Sequence, residues 1–391
     1  MAKLRKPALA TTPEPTRPLT SLYIALFALL SAAATWLMRI EPGLVDIPVD
    51  FLAQAEGGIF ANGLALRKTY TGFSAVDTTL SFLVASFIAG PAEWDASVRL
   101  QQIQFLLNFF PIVCLWNAEA CRERNKGRLI SYTALFACFY QTVGGAIIIP
   151  LYYLASAASS RNDTHLTSGR AIDLACARML IPACVLGYLL PTVLMYVPWS
   201  SFETRQFWTA FWQPCPVFVN AVLLLRTRIS SLAISSSPED NSKRAKNADV
   251  KYLKLLYVIA AGVAATAHLG TLYLCLMSSN SELSVSSIFV PQFAFRAESM
   301  TAGLHYIFQV DYLGIFLPSL LWGFLAVHDV LRVLLGEDLR SWQMLLIAVS
   351  TLIVGALVGP RAALALIWWW REEKLIRIEQ GFNGELKPKR A

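Results

Sequence analysis

Gln101, Gln104, Asn108, Glu119 and Arg122 interrupt an otherwise apolar stretch of the chain. At 100° per residue they fall within about 60° of one helical face. Ionisable groups among apolar side chains are costly and mark candidate functional positions. Glu119 either pairs with Arg122 at i, i+3 or carries a proton for chemistry. A weaker stripe, Ser74, Asp77 and Ser81, lies in the preceding apolar stretch. Asp77 opens its helix and Glu119 closes the next, so antiparallel packing would bring both to one membrane side. Two carboxyl groups in one low-dielectric site hold their pKa values apart and leave one protonated near neutral pH. A carboxylic acid of that kind can protonate an alkene or an epoxide. Glu119 is the candidate general acid and Asp77 its partner; the alternative is two separate interfacial carboxylates. Asp311 is the third candidate, on one face with Pro318, Trp322 and Asp329. Asp311 and Asp329 would be about 27 Å apart on a helix, so at most one of them can join Asp77.

Aromatic residues crowd the same stretches, and their faces stabilise cations where water is excluded. Trp116, Tyr140, Phe211, Trp212 and Trp322 are candidate walls of a substrate cavity, with Gln104 and Asn108 as its polar contacts. Trp368–Trp370, followed by Arg371, reads instead as an interfacial anchor. The histidines His165, His268, His305 and His328 are scattered, without the spacing of a di-iron or zinc site. No Asp-rich run for magnesium diphosphate appears: Asn162-Asp163 begins one, but Leu166 stands where the last acid belongs. Walker and dinucleotide fingerprints are missing as well. Neither a metal nor a cofactor is expected.

These residues must be positioned by helices in lipid. Of the 391 residues, 55% are hydrophobic and 15% charged, against roughly 25% charged in soluble domains. Apolar blocks at about 19–38, 73–90, 101–121, 129–157, 174–197, 206–225, 252–277, 306–334 and 343–370 approach the roughly 20 residues that span a bilayer. The expected fold is all-α: a polytopic integral membrane bundle of about eight or nine transmembrane helices. A polar tail (1–18), one membrane domain (19–371) with a flexible loop near 230–250, and a second polar tail (372–391) complete the organisation. The first apolar run is longer than a signal-peptide core and reads as an uncleaved anchor. Pro214 and Pro216 make the sixth block the one expected to be broken or re-entrant. The seven cysteines sit within or at the ends of apolar blocks without a C-x-x-C pair, which suits packing. The net charge of +7 anchors loops at lipid headgroups and shows no nucleic-acid stripe. The basic regions at 122–128, 226–254 and 371–391 cannot share one membrane side if every block crosses once. Asn162-Asp163-Thr164 is a glycosylation sequon, which would place its loop in the lumen if used.

Several short stretches resemble the fungal membrane-bound terpene cyclases of the ascochlorin and ascofuranone type. They are Tyr70-Thr-Gly-Phe73 followed by Asp77, and Glu119-x-x-Arg122-x-x-Asn125-x-Gly127. Phe211-Trp212-Gln213, Asp311 with Trp322, and Gly359-Pro360 leading to Trp370-Arg371-Glu372-Glu373 follow in order. The resemblance covers most of the chain after about residue 60. It implies metal-free cyclisation of a linear prenyl or epoxyprenyl chain, often a farnesyl meroterpenoid, in fungal secondary metabolism. It also implies a multi-pass protein of the endoplasmic reticulum, a hydrophobic prenylated substrate, and a prenyltransferase and an epoxidase as functional neighbours. A carrier of a hydrophobic metabolite is the alternative that many spans, proline breaks and a polar stripe equally suit.

Overall fold

The computed structural model describes residues 16–233, 247–280 and 282–381. Most of the 1–18 tail, most of the 230–250 loop and the last ten residues of the 372–391 tail lie outside the described residues. Within them the chain is helical, with only isolated bridges between extended segments.

Long apolar runs form helices because only a helix satisfies its own backbone polar groups in lipid. Helix α1 (Thr20–Leu44) crosses the bundle and leads into a surface connection carrying α2 (Phe51–Gly57). The second apolar block makes only α3 (Ser74–Phe87), about 21 Å long by its rise and too short to cross. Both its flanks stay at one end of the bundle, where Phe60 and Trp94 meet with ring centroids 4.9 Å apart. Asp95 caps α4 (Ala96–Ala120), accepting from the Val98 N–H at 2.9 Å. Helix α4 is the bundle's spine, with 78% of its apolar window buried.

The fourth block breaks in the middle. Helices α5 (Thr133–Thr142) and α6 (Gly145–Ser159) are separated at Gly144, whose φ of 122° suits glycine alone. They form a hairpin that enters and leaves at one end, where Arg128 donates to the Ser159 carbonyl. Helix α7 (Leu174–Met195) is long and apolar enough to cross a membrane. Helices α8 (Phe202–Trp212) and α9 (Cys215–Ala233) are bent by 57°, at the Pro214 break expected from the sequence. Helices α10 (Val250–Met277) and α11 (Met300–Leu335) have the length and composition to cross as well, and Ser299 caps α11. Helix α12 (Ser341–Val358) lies on the outside with 6% of its window buried. It turns at Gly359-Pro360 into the buried α13 (Pro360–Gln380).

Six of these helices are long and apolar enough to cross a membrane, or seven spans if the bent pair counts as one. The nine apolar blocks of the sequence exceed that number because the second and fourth turn back. The same folding removes the conflict among the basic regions. Arg122 pairs with Glu372, Arg170 with Asp249, and Lys254 with Glu373. The described parts of all three regions therefore gather at one end, as does Arg17, whose guanidinium grips Asp329 near the end of α11. The opposite end is closed by the Arg296–Glu41 pair and by Pro48 packed against Gly303.

Candidate active site

At the tip of the α5–α6 hairpin, α1, α3, α4, α7, α8 and α11 leave a cavity of about 190 Å³. That is several times the roughly 30 Å³ that one water occupies in the liquid. Phe105 and Phe109 of α4, Tyr140 of α5, Tyr188 of α7, Trp212 of α8 and Phe308 of α11 form its aromatic walls. Phe109 and Tyr140 meet edge to face at 5.1 Å, and Phe87 bridges Trp212 at 5.3 Å and Phe308 at 4.8 Å. The faces of such rings carry negative potential.

Among the described residues, the cavity has one carboxyl group and one cation in its wall, Asp311 and Arg39. Asp311 comes from the middle of α11 and accepts the Ala146 N–H at 2.6 Å, in the first turn of α6. Glycine at 145 makes this approach possible, since a Cβ there would lie 2.5 Å from Ile315. Among the described residues, no ion pair engages Asp311. Arg39 donates through Nε and one amino group to the Val143 carbonyl, at 3.1 and 2.7 Å.

Of the residues singled out in the sequence, Asp311, Tyr140 and Trp212 line this cavity. The polar face of α4 does not. Gln104 lies 3.5 Å from His268 and accepts from Thr271 at 3.4 Å, while Asn108 donates to the Gln104 carbonyl at 2.9 Å. Gln104 thus belongs to a seam between α4 and α10, and Asn108 bonds back within α4. Trp116 stacks on Tyr152 with centroids 3.6 Å apart. Trp322 lies between Tyr153 at 4.6 Å and Trp368 at 4.0 Å. Phe211 is 40% exposed on the outside.

The structure also separates Asp77 from Glu119, against the shared-side expectation. Asp77 accepts from the Tyr70, Thr71 and Gly72 backbone N–H groups at 2.7–3.1 Å and from the Thr71 hydroxyl at 2.9 Å. The Thr71 N–H foremost, with the other donors, holds its carboxyl below the usual range. It organises the loop leading out of the 39–72 connection. Glu119 faces the opposite end. Gly303 packs on Pro48 of that connection, whereas Trp322 and Glu119 line one small void. Along α11 these positions are about 28 Å apart. The antiparallel argument failed because α3 does not cross.

Glu119 sits in a buried network of charge. It accepts from Arg122 at 2.8 Å, Arg371 at 2.8 Å and the Trp368 indole at 3.0 Å. The Arg122 pairing is the i, i+3 bond expected from the sequence. Arg122 continues to Glu372 at 2.5 Å, and Arg170 joins Glu372 at 2.5 Å and Asp249 at 3.1 Å. Burial pushes the Glu372 carboxyl up, but Arg122 and Arg170 together hold it below the usual range. Burial and the Arg124 charge push the nearby His165 imidazole down to about 2, so it stays neutral. Trp368 is 1% exposed. It is therefore a core residue donating to Glu119, not the interfacial anchor its neighbours suggested.

Sequence reasoning missed Arg39, Tyr188 and Phe308. Arg39 follows the last residue of the first apolar block, where a cation reads as a helix-end anchor. The signal for the cavity floor was Gly144-Gly145 inside the fourth block.

The CtvD domain profile matches residues 20–376. The chain is 25% identical over 364 residues to terpene cyclase ascI of Acremonium egyptiacum, covering 88% of this chain and 89% of that one. It is 26% identical over 337 residues to terpene cyclase DEP1 of Alternaria brassicicola, covering 78% and 87%. It is also 24% identical over 283 residues to the FAD-dependent monooxygenase BOA8 of Botryotinia fuckeliana, covering 71% of this chain but 34% of that one. No solved structure matches. With the match running from the first residue of α1 into the last turns of α13, both the cavity and the charge network lie within it, and the chain belongs to the CtvD domain family.

Proposed function

We propose that the protein is a membrane-bound terpene cyclase that folds a linear prenyl or epoxyprenyl chain into rings by proton transfer. The observation that carries this reading is a cavity walled by aromatic rings with Asp311 as its single carboxyl group. In its acid form Asp311 delivers a proton to an epoxide oxygen or an alkene carbon. With an epoxide, the C–O bond breaks as the neighbouring alkene attacks, and positive charge passes along the chain between the aromatic faces. Loss of a ring-adjacent proton to the carboxylate restores the acid. Substrate and product then have equal mass, and the enzyme is an isomerase. Its substrate is the farnesyl tail of a meroterpenoid in fungal secondary metabolism. A prenyltransferase and an oxygen-inserting enzyme make that tail; the match to part of an FAD-dependent monooxygenase suits such a sequence of steps. Among the described residues no group of three His, Cys, Asp or Glu side chains could hold a metal ion. Glu119 and Asp77 support the fold around the cavity, one at each end.

The test is conversion in microsomes from an expressing host, supplied with epoxidised and plain farnesyl phenols. A product of unchanged mass, formed equally with EDTA present, is expected. Uptake into vesicles with no chemical change would favour the carrier reading, for which the relatives' names offer nothing.

We place the protein in the endoplasmic reticulum with its basic end in the cytosol, because Lys and Arg are retained on that side. Asn162 lies at the basic end, its strand paired to Thr16. It should carry no glycan. Asn62, exposed in the opposite connection, should gain an endoglycosidase-sensitive glycan when Leu64→Thr completes a sequon there. A glycan on Asn162 in the wild-type protein would invert the orientation.

A further inference from the structure

Among the described residues, Arg39 is the only cation in the cavity wall, and the reading of this cavity as the cyclisation site is the basis for asking what it recognises. A guanidinium near the end of an apolar helix ordinarily turns toward water or a carboxylate. Arg39 does neither through its bonded atoms. Nε and one Nη donate to the Val143 carbonyl at the hairpin tip. No hydrogen bond engages the other amino group among the described residues, and no carboxylate pairs with it. The side chain is exposed, at the cavity's edge.

The tip is shaped to hold this group. A Cβ at Gly144 would come within 3.2 Å of Met38 and 3.7 Å of the Arg39 amino group. A φ of 122° there turns the Val143 carbonyl outward as a fixed acceptor. Gln141 and Thr142 line the cavity beside it, whereas the walls beyond are mostly rings and aliphatic chains. The tip end of the cavity therefore carries the Arg39 cation near the Asp311 carboxyl, and the rest is mostly apolar. That division matches an amphipathic ligand: an apolar chain carrying an oxyanion.

We propose that Arg39 is a specificity-determining residue that seats the anionic oxygen head, carboxylate or phenolate, of a prenylated substrate. The prenyl chain then folds back along the aromatic walls to bring its reactive end to Asp311. Neutral prenyl alcohols fit the same walls but gain no charge-assisted hydrogen bond from the guanidinium. Arg39 touches the head and takes no part in proton transfer.

The probes are farnesoic acid and farnesol, binding to the detergent-purified protein at pH 8 and followed by tryptophan fluorescence, since Trp212 lies in the wall. Wild-type protein should bind the acid at least about tenfold more tightly than the alcohol, the low end for a charge-assisted hydrogen bond. Arg39→Gln should abolish that preference while leaving farnesol affinity within about twofold. Arg39→Lys should keep part of it, having the charge without the fork. Arg178→Gln, an exposed arginine away from the cavity, should keep all of it, which separates a site from general charge attraction. Equal affinity for both probes in the wild type, a preference untouched by Arg39→Gln, or no saturable binding of the acid would each overturn the inference. Binding is read without turnover. A protein that prefers the acid through Arg39 but converts no substrate would leave this inference standing and remove the cyclase reading.

Discussion

Asp311→Asn should lower turnover by at least about 10²-fold, the low end for general acid catalysis, without loss of folded protein. The substitution is nearly isosteric. An amide oxygen at the Oδ1 position still accepts the Ala146 N–H that Asp311 holds at 2.6 Å, so the first turn of α6 keeps its cap. What disappears is the transferable proton. Turnover should be measured in microsomes and divided by the amount of monodisperse protein recovered in detergent. Asp311→Glu is the companion variant. It keeps the acid but extends it toward the cavity, and should retain more activity than the amide. Full turnover by Asp311→Asn would remove Asp311 from the chemistry.

Glu372→Gln should have the largest effect on stability. Glu372 is completely buried and receives both Arg122 and Arg170 at 2.5 Å. A neutral amide leaves two buried guanidinium groups short of a counter-charge. Breaking a buried pair by removing one partner costs about 3–5 kcal/mol, a large fraction of the roughly 5–15 kcal/mol that holds a typical domain together. The four connected segments are the α4 end, the 170 loop, the start of α10 and α13, so the loss should spread through the whole basic end. Heating detergent-purified protein and following its monodisperse fraction by size exclusion reads the effect. Glu372→Gln should aggregate well below the wild-type temperature or fail to accumulate. Glu373→Gln, one residue away in a partly exposed pair with Lys254 at 3.4 Å, should change little, since such pairs contribute about 0–1 kcal/mol. Equal thermal behaviour of Glu372→Gln and wild type would mean that the network is not what joins these segments.

Helix positions were legible in the sequence because a helix in lipid must be long and predominantly apolar, as α1, α4, α10 and α11 are. The bend at Pro214 was legible for the same reason in reverse, since proline removes a backbone donor. The tip of the α5–α6 hairpin was not. Residues 129–157 read as one apolar run, and two adjacent glycines among them give no sign of which way the chain turns. That single error hides the cavity, because the tip supplies its floor. Reading the second block as a span likewise sent Glu119 to the end that holds Asp77 and the 39–72 connection. The partners of Glu119 were partly visible, since Arg122 lies three residues on. Arg122 and Glu372 are 250 positions apart, and no periodicity links such a pair. Among the acids, chain position suggested Glu119 first and Asp311 last. Contacts set the two apart: Glu119 is surrounded by arginines, while Asp311 faces a cavity.

The most direct measurement is turnover per folded molecule for Asp311→Asn and Glu119→Gln side by side, on one epoxyfarnesyl phenol. Asp311→Asn is expected to accumulate and melt like wild type yet convert at least about 10²-fold more slowly. Glu119→Gln is expected to yield much less folded protein, because Arg122 and Arg371 lose their shared carboxylate. The molecules that do fold should convert substrate within about threefold of wild type, a loss of under 1 kcal/mol in barrier terms. The reverse pattern would contradict the account: a well-folded but inactive Glu119→Gln beside a fully active Asp311→Asn would move the acid from the aromatic cavity to the charged end of the bundle.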